Sequence, residues 1–147
     1  GGFATIQTPY NLVNPTACRP PPAGFEEADY GQVLKDCAEL GMGFFAIRVF
    51  AGGALVDRSP AGHTYKTRFF PLDLYQRDLA RSRQIAEQLG GMDVDLAALR
   101  FVLSSPLVSS AIIGFSQPLH VDRALLACEK GSLDESLIGK LLEAADA

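Results

Sequence analysis

The sequence predicts an α/β fold in which three parallel strands are joined by crossover helices and followed by one further helix. Two observations carry this. Short β-branched or continuously apolar runs alternate with stretches whose apolar residues recur at helical spacing, and glycine or proline punctuates nearly every junction. Strand–helix alternation of this kind lays successive strands side by side in one direction.

Residues 4–8 read as the first strand, ended by Pro9, and the polar, proline-rich stretch 11–23 reads as a long loop. From Glu26 onward, Tyr30, Val33, Leu34, Cys37 and Ala38 fall at helical spacing until Gly41 stops the helix. Residues 43–50 are apolar except for Arg48, the pattern of a strand covered on both faces. Residues 51–72 hold glycines, prolines and the cations Arg58, Lys66 and Arg68, a surface excursion. Asp73 is placed to cap a helix with Tyr75, Leu79, Ser82, Ile85, Ala86 and Leu89 inward, ended by Gly90 and Gly91. A further helical piece spans 95–103, before Pro106.

Residues 110–114 form the third strand, and Pro118 opens a helix with Val121, Ala124, Leu125 and Cys128 inward. Ser132 and Glu135 have the spacing of a capping box for the last helix, whose buried stripe is Leu137, Ile138, Leu141, Leu142 and Ala145. Three strands cannot close a barrel, and as an open sheet they leave edges unpaired, so residues 1–147 are expected to be an incomplete domain.

Composition narrows the function classes. A 48% hydrophobic and 20% charged make-up is that of a chain that folds around a core. A net charge of -4 argues against nucleic acid or an anionic membrane surface as partner. No apolar run approaches the roughly 20 residues needed to span a bilayer, and the first residues lack the character of a signal peptide. Cys18, Cys37 and Cys128 are widely spaced and odd in number, which fits reduced thiols and a cytoplasmic setting. His63 has no second His or Cys at ligand spacing, so no metal is expected, and without a GxSxG there is no nucleophile elbow.

Arg48 is the sharpest local anomaly, because a cation in an apolar strand is costly to bury unless an anion faces it. That anion is either a phosphate or an Asp or Glu side chain. Gly52 and Gly53 after the strand permit a tight turn or a close approach of backbone to phosphate. Gly114, Phe115, Ser116 and Gln117 precede a helix start, whose free N–H groups favour an anion.

Three stretches, in order and together spanning most of the chain, resemble the last three βα units of the aldo-keto reductases. They are Ile6-Gln7-Thr8-Pro9-Tyr10-Asn11-Leu12-Val13-Asn14, Ala46-Ile47-Arg48-Val49-Phe50-Ala51-Gly52-Gly53-Ala54-Leu55, and Ala111-Ile112-Ile113-Gly114-Phe115-Ser116-Gln117-Pro118. The resemblance implies the last part of an eight-fold (β/α) TIM barrel, with NADP as cofactor and NAD as the alternative. It implies that Gln7 holds the nicotinamide carboxamide and that Ile47 stands where many members stack an aromatic ring on the nicotinamide. It further implies that Arg48, Val49, Phe50 and Gly52 lie at the pyrophosphate, with Arg58 in a loop folding over it. Gly114, Phe115, Ser116 and Gln117 match the phosphate-binding turn. His120 and Arg123 fall where the family selects the 2′-phosphate or grips the adenine. The family's catalytic Asp, Tyr, Lys and His come from earlier strands with no counterpart here, so no catalytic residue is assigned.

The reading that follows is an NAD(P)-dependent oxidoreductase of carbonyl or sugar substrates, with this chain supplying cofactor contacts. Its expected macromolecular partner is a second copy or the missing N-terminal barrel segment. A catalytically incompetent fragment serving as a nucleotide-binding or protein-interaction module is the alternative, and a flavodoxin-like domain ranks third.

Overall fold

The computed structural model describes residues 2–56, 59, 62 and 70–146. Strands β1 (Thr5–Pro9), β2 (Gly43–Ile47) and β3 (Ser110–Ala111) form one parallel sheet in the order β1-β2-β3. Helix α1 (Val33–Glu39) connects the first two strands. A 3-10 helix, Ala51–Val56, then α2 (Leu72–Gln88) and α3 (Val94–Ser104) lie between β2 and β3. Helices α4 (Pro118–Lys130) and α5 (Glu135–Asp146) complete the chain. The expected α/β alternation is therefore present, as an open sheet of three parallel strands.

Pairing sets Ile6 opposite Phe44 and Thr8 opposite Ala46. Phe44 and Ala46 are fully buried, so this face of the sheet is the covered one. The alternate residues, Gln7 opposite Phe45 and Phe45 opposite Ser110, lie on the other face, where Gln7 and Ser110 are exposed. On the covered side Leu12, Leu34, Leu55, Ile85, Val102 and Leu141 are all packed out of solvent. Each such side chain contributes about 1.5–3 kcal/mol by leaving water.

Several elements differ from the sequence expectation, each for a local reason. The first helix begins at Val33 rather than near Glu26, because Gly31 and Gln32 take left-handed φ values of 62° and 58°. Residues 11–23 form the expected loop, but its first part, 11–17, is buried, whereas 18–23 with the three prolines are half-buried or exposed. The Asn11 side-chain oxygen accepts from the N–H groups of Val13 and Asn14 at 3.1 and 2.8 Å. Asn14 in turn accepts from the Thr16 hydroxyl at 2.7 Å and donates to the Ala28 carbonyl at 3.0 Å. These side chains satisfy backbone groups that burial has removed from water.

Strand β2 stops at Ile47, not Phe50, because Arg48 has φ 54° and leaves the extended region. Strand β3 is correspondingly short, although Ile112 N–H still donates to the Ala46 carbonyl at 2.8 Å. Helix α2 starts at Leu72 with Pro71 in the cap position, so Asp73 lies in the first turn and caps nothing. Ser132 and Glu135 do not form the expected capping box, since α5 itself begins at Glu135. The Ser132 carbonyl instead accepts from Arg100 Nη2 at 2.8 Å. Pro118 does open α4, but the face predicted to be inward is largely outward. Val121 is 44% and Leu125 57% exposed and Cys128 is exposed, whereas Ala127 is buried and Ala124 packs against the core.

Candidate cofactor site

In a parallel sheet all strands leave at the same edge, and loops there gather residues distant in sequence. At this edge Tyr10 N–H donates to the Ile47 carbonyl at 3.2 Å, and Asn11 Nδ2 donates to the Arg48 carbonyl at 2.9 Å. The β1 exit thereby holds the β2 exit in place. Beyond Arg48 the chain winds tightly. Ala51 N–H returns to the Arg48 carbonyl and Gly53 N–H to the Phe50 carbonyl, both at 2.8 Å. Gly52 and Gly53 take φ 69° and 109°, and even Ala51 is left-handed at φ 48°.

This turn folds the Arg48 side chain back over its own backbone. A Cβ on Gly52 would lie 3.0 Å from Arg48 Nη2, so any larger residue would press the guanidinium aside. The guanidinium carbon sits 3.6 Å from the centroid of the Phe70 ring. Burial lowers the Arg48 pKa, an effect opposed by the negative charge of Asp78 and by Tyr30.

Beside this turn lies a cavity of about 560 Å³ between the 3-10 helix, α2, α3, β3 and α4. Phe50, Val94, Leu99 and Leu119 contribute apolar walls, while Gln117 and His120 contribute polar ones. The volume is within the usual range for a small-molecule site, roughly 300–1,000 Å³. Its rim at 114–117 is exposed, and Gly114 has nothing within 4 Å of the place a Cβ would occupy. Helix α4 opens at this rim with Gln117 at the cap position and no side-chain cap. Ser116 N–H donates to His120 Nδ1 at 3.2 Å, which requires that nitrogen to be the unprotonated one.

Across the cavity Arg123 reaches from α4 to the start of α3. Its Nη2 meets Asp93 Oδ2 at 2.7 Å, and its Nε and Nη2 form a two-pronged pair with both oxygens of Asp95. These two carboxylates raise the Arg123 pKa still further above its ordinary value.

The Aldo/keto reductase family model matches residues 2–146. The chain belongs to that family. No curated protein matches it. Members of the aldo/keto reductase family are oxidoreductases that bind NAD(P)H and act on small carbonyl compounds.

In this aldo/keto reductase chain the sequence-predicted residues fall into separate groups. Phe50, Gly114, Gln117 and His120 line one cavity, and Arg48 and Gly52 form the turn beside it. Phe115 and Ser116 stand exposed on the rim. Gln7 and Ile47 belong to the open face of the sheet, away from that cavity. Val49 is 1% exposed and packed in the core, so its side chain presents no surface to a ligand. Arg58, Lys66, Arg68 and His63 lie outside the described residues.

Tyr10 is a core aromatic, packed edge-on to Phe44 and 5.2 Å from Phe101 between centroids. Its hydroxyl pKa is raised by burial and by Cys18, and that of Tyr30 is raised chiefly by burial. Neither is the activated, low-pKa phenol that the family's proton donor has to be. Among the described residues no cluster of His, Cys, Asp and Glu could hold a metal, and no helix is long and apolar enough to cross a membrane.

Two features of this aldo/keto reductase chain were not legible in the sequence. The Asp93–Arg123–Asp95 cluster joins residues about thirty positions apart, and no periodicity announces it. Asp78 is 4% exposed, and its Oδ1 has no hydrogen-bond partner. Its one visible signal was its place one residue before the inward Leu79.

Proposed function

We propose that the chain provides the cofactor-binding end of an NAD(P)-dependent oxidoreductase that acts on carbonyl or sugar substrates. The observation that carries this is one apolar-walled cavity at the strand-exit edge, lined by Gly114, Gln117 and His120 at the uncapped start of α4 and by Phe50 from the tight turn that follows Arg48. These residues suit a nicotinamide dinucleotide. Arg48 is a half-buried cation able to face a pyrophosphate, Gly114 allows close approach, and the cavity has the size and polarity for an adenosine.

Bound there, the dinucleotide supplies the hydride that reduces a carbonyl group. Arg48 would hold the pyrophosphate, and the backbone of 114–117 with the α4 start would hold its neighbouring oxygens. Gln7, on the open sheet face, would orient the carboxamide, while Ile47 on the same face would cover the nicotinamide ring by dispersion contact. Arg58, outside the described residues, is assigned to the pyrophosphate by the family resemblance. The proton for the carbonyl oxygen would come from outside the described residues, consistent with the raised hydroxyl pKa values of Tyr10 and Tyr30.

On this reading residues 1–147 form the C-terminal segment of a (β/α) barrel and work against its N-terminal segment or a second copy. The open face of the sheet and the exposed Val121 and Leu125 on α4 support it. The thiols Cys18, Cys37 and Cys128 are free, which agrees with a cytoplasmic setting. Titration with NADH and NADPH, followed by nicotinamide fluorescence, tests the assignment. Arg48→Ala combined with Arg58→Ala should weaken binding by about tenfold or more. Unchanged affinity would refute the placement of the pyrophosphate.

A further inference from the structure

The cavity contains a charge arrangement that bears on which dinucleotide it takes, and the argument from it rests on the cofactor reading above. Arg123 is the cation nearest the α4 side of the cavity, yet its charge is already engaged. Asp95 grips it with both oxygens and Asp93 adds a third contact at 2.7 Å. The Asp93 side chain is 67% exposed, and only its Oδ2 is engaged by Arg123. Its Oδ1 is left to accept a hydrogen bond from a ligand.

His120, the other basic group on this wall, is engaged by the Ser116 N–H at Nδ1. Among the described lining residues Arg83, exposed on α2, is the remaining cation. Two carboxylates, one cation they have already neutralised and one solvated arginine make a poor seat for a dianionic phosphate. They make a better one for ribose hydroxyls, which can donate to the remaining Asp93 Oδ1, than for a phosphate, which that carboxylate repels.

We infer that this cavity selects the unphosphorylated dinucleotide, NAD(H), with Asp93 reading the adenosine ribose hydroxyls and Asp95 holding Arg123 away from a 2′-phosphate. The preference is thus opposite to the NADP expected from the family resemblance. It resides at the start of α3, which Arg123 ties to the wall of α4.

Equilibrium titration of the protein with NADH and NADPH, and in parallel with 5′-AMP and adenosine 2′,5′-bisphosphate, tests this without turnover. The unphosphorylated member of each pair should bind roughly tenfold or more tightly, the scale on which like charges set side by side discriminate. Asp93→Asn leaves the two-pronged Asp95–Arg123 pair in place and should narrow the ratio several-fold, while Asp93→Asn with Asp95→Asn should bring it to one or reverse it. Wild-type protein that binds NADPH as tightly as NADH overturns the inference and leaves the cofactor site standing, as does a ratio indifferent to Asp93→Asn in a variant that melts like wild type. Protein that binds none of the four ligands overturns the cofactor reading and this selectivity with it.

Discussion

Replacing Asp78 by asparagine should flatten part of the pH dependence of stability. The Asp78 side chain lies on the inner face of α2, 5% exposed, with Arg81 Nη1 at 3.8 Å from Oδ1. That arginine is committed elsewhere, to Glu27 Oε1 at 2.5 Å and to the Val13 carbonyl at 3.4 Å. Burial first, and then the charge of Glu27, push the Asp78 carboxyl up from 3.8 to about 7, against the opposing pull of Arg81, Arg48 and Arg77. Between these two values the folded chain holds a proton that the unfolded chain has released. The folded state therefore binds more protons than the unfolded state, and the contribution of Asp78 to stability falls as pH rises.

Integrated from about pH 5 to about pH 8, this loss amounts to about 2–3 kcal/mol. A carboxamide at this position cannot titrate, so the wild-type protein should lose about that much relative to Asp78→Asn over the same interval. Urea unfolding followed by circular dichroism at several pH values measures both curves. The offset between the proteins at any one pH includes the new amide beside Arg81, so the difference in slope is the quantity that counts. Parallel curves would mean that Asp78 ionises as an ordinary surface carboxylate, and the account of its burial would be wrong.

Two further substitutions probe the frame around the site. Gly52→Ala puts a Cβ at φ 69° and 3.0 Å from Arg48 Nη2, so it should cost about 1–2 kcal/mol in thermal stability and weaken dinucleotide binding by displacing the guanidinium. A variant with wild-type stability and affinity would show that the turn does not need glycine there. Arg100 donates to the carbonyls of Gly131 and Ser132, each at 2.8 Å, and of Lys130 at 3.3 Å, fastening α3 to the turn between α4 and α5. Arg100→Ala should lower the unfolding free energy by about 1–3 kcal/mol in urea titrations, and a smaller loss would mean that water replaces the guanidinium at those carbonyls.

The alternation of strands and helices was legible in the sequence because it is written in short-range signals. Short β-branched or continuously apolar runs, period-3.6 patterning of apolar residues, the glycines at 41, 90 and 91 and Pro118 all act through local backbone geometry. The same holds for part of the site. Arg48 stood out as a charge in an apolar run, and the glycines after it were bound to turn the chain, so the β2 exit could be singled out from composition alone.

Tertiary structure decided what depends on distant partners. Whether Tyr10 faces a ligand or the core was settled by Phe44 and Phe101, which come from another strand and a helix. The first part of the loop after β1, residues 11–17, became interior because the side chains of Asn11, Asn14 and Thr16 satisfy polar groups there, which sequence patterns do not foretell. The outward face of α4 follows from the way that helix packs on α3, which its own periodicity does not contain. Arg123 found Asp93 and Asp95 for the same reason. Apolar burial is non-directional and leaves a periodic trace, whereas the pairing of charges depends on which elements are brought into contact, and that is known only once the chain has folded.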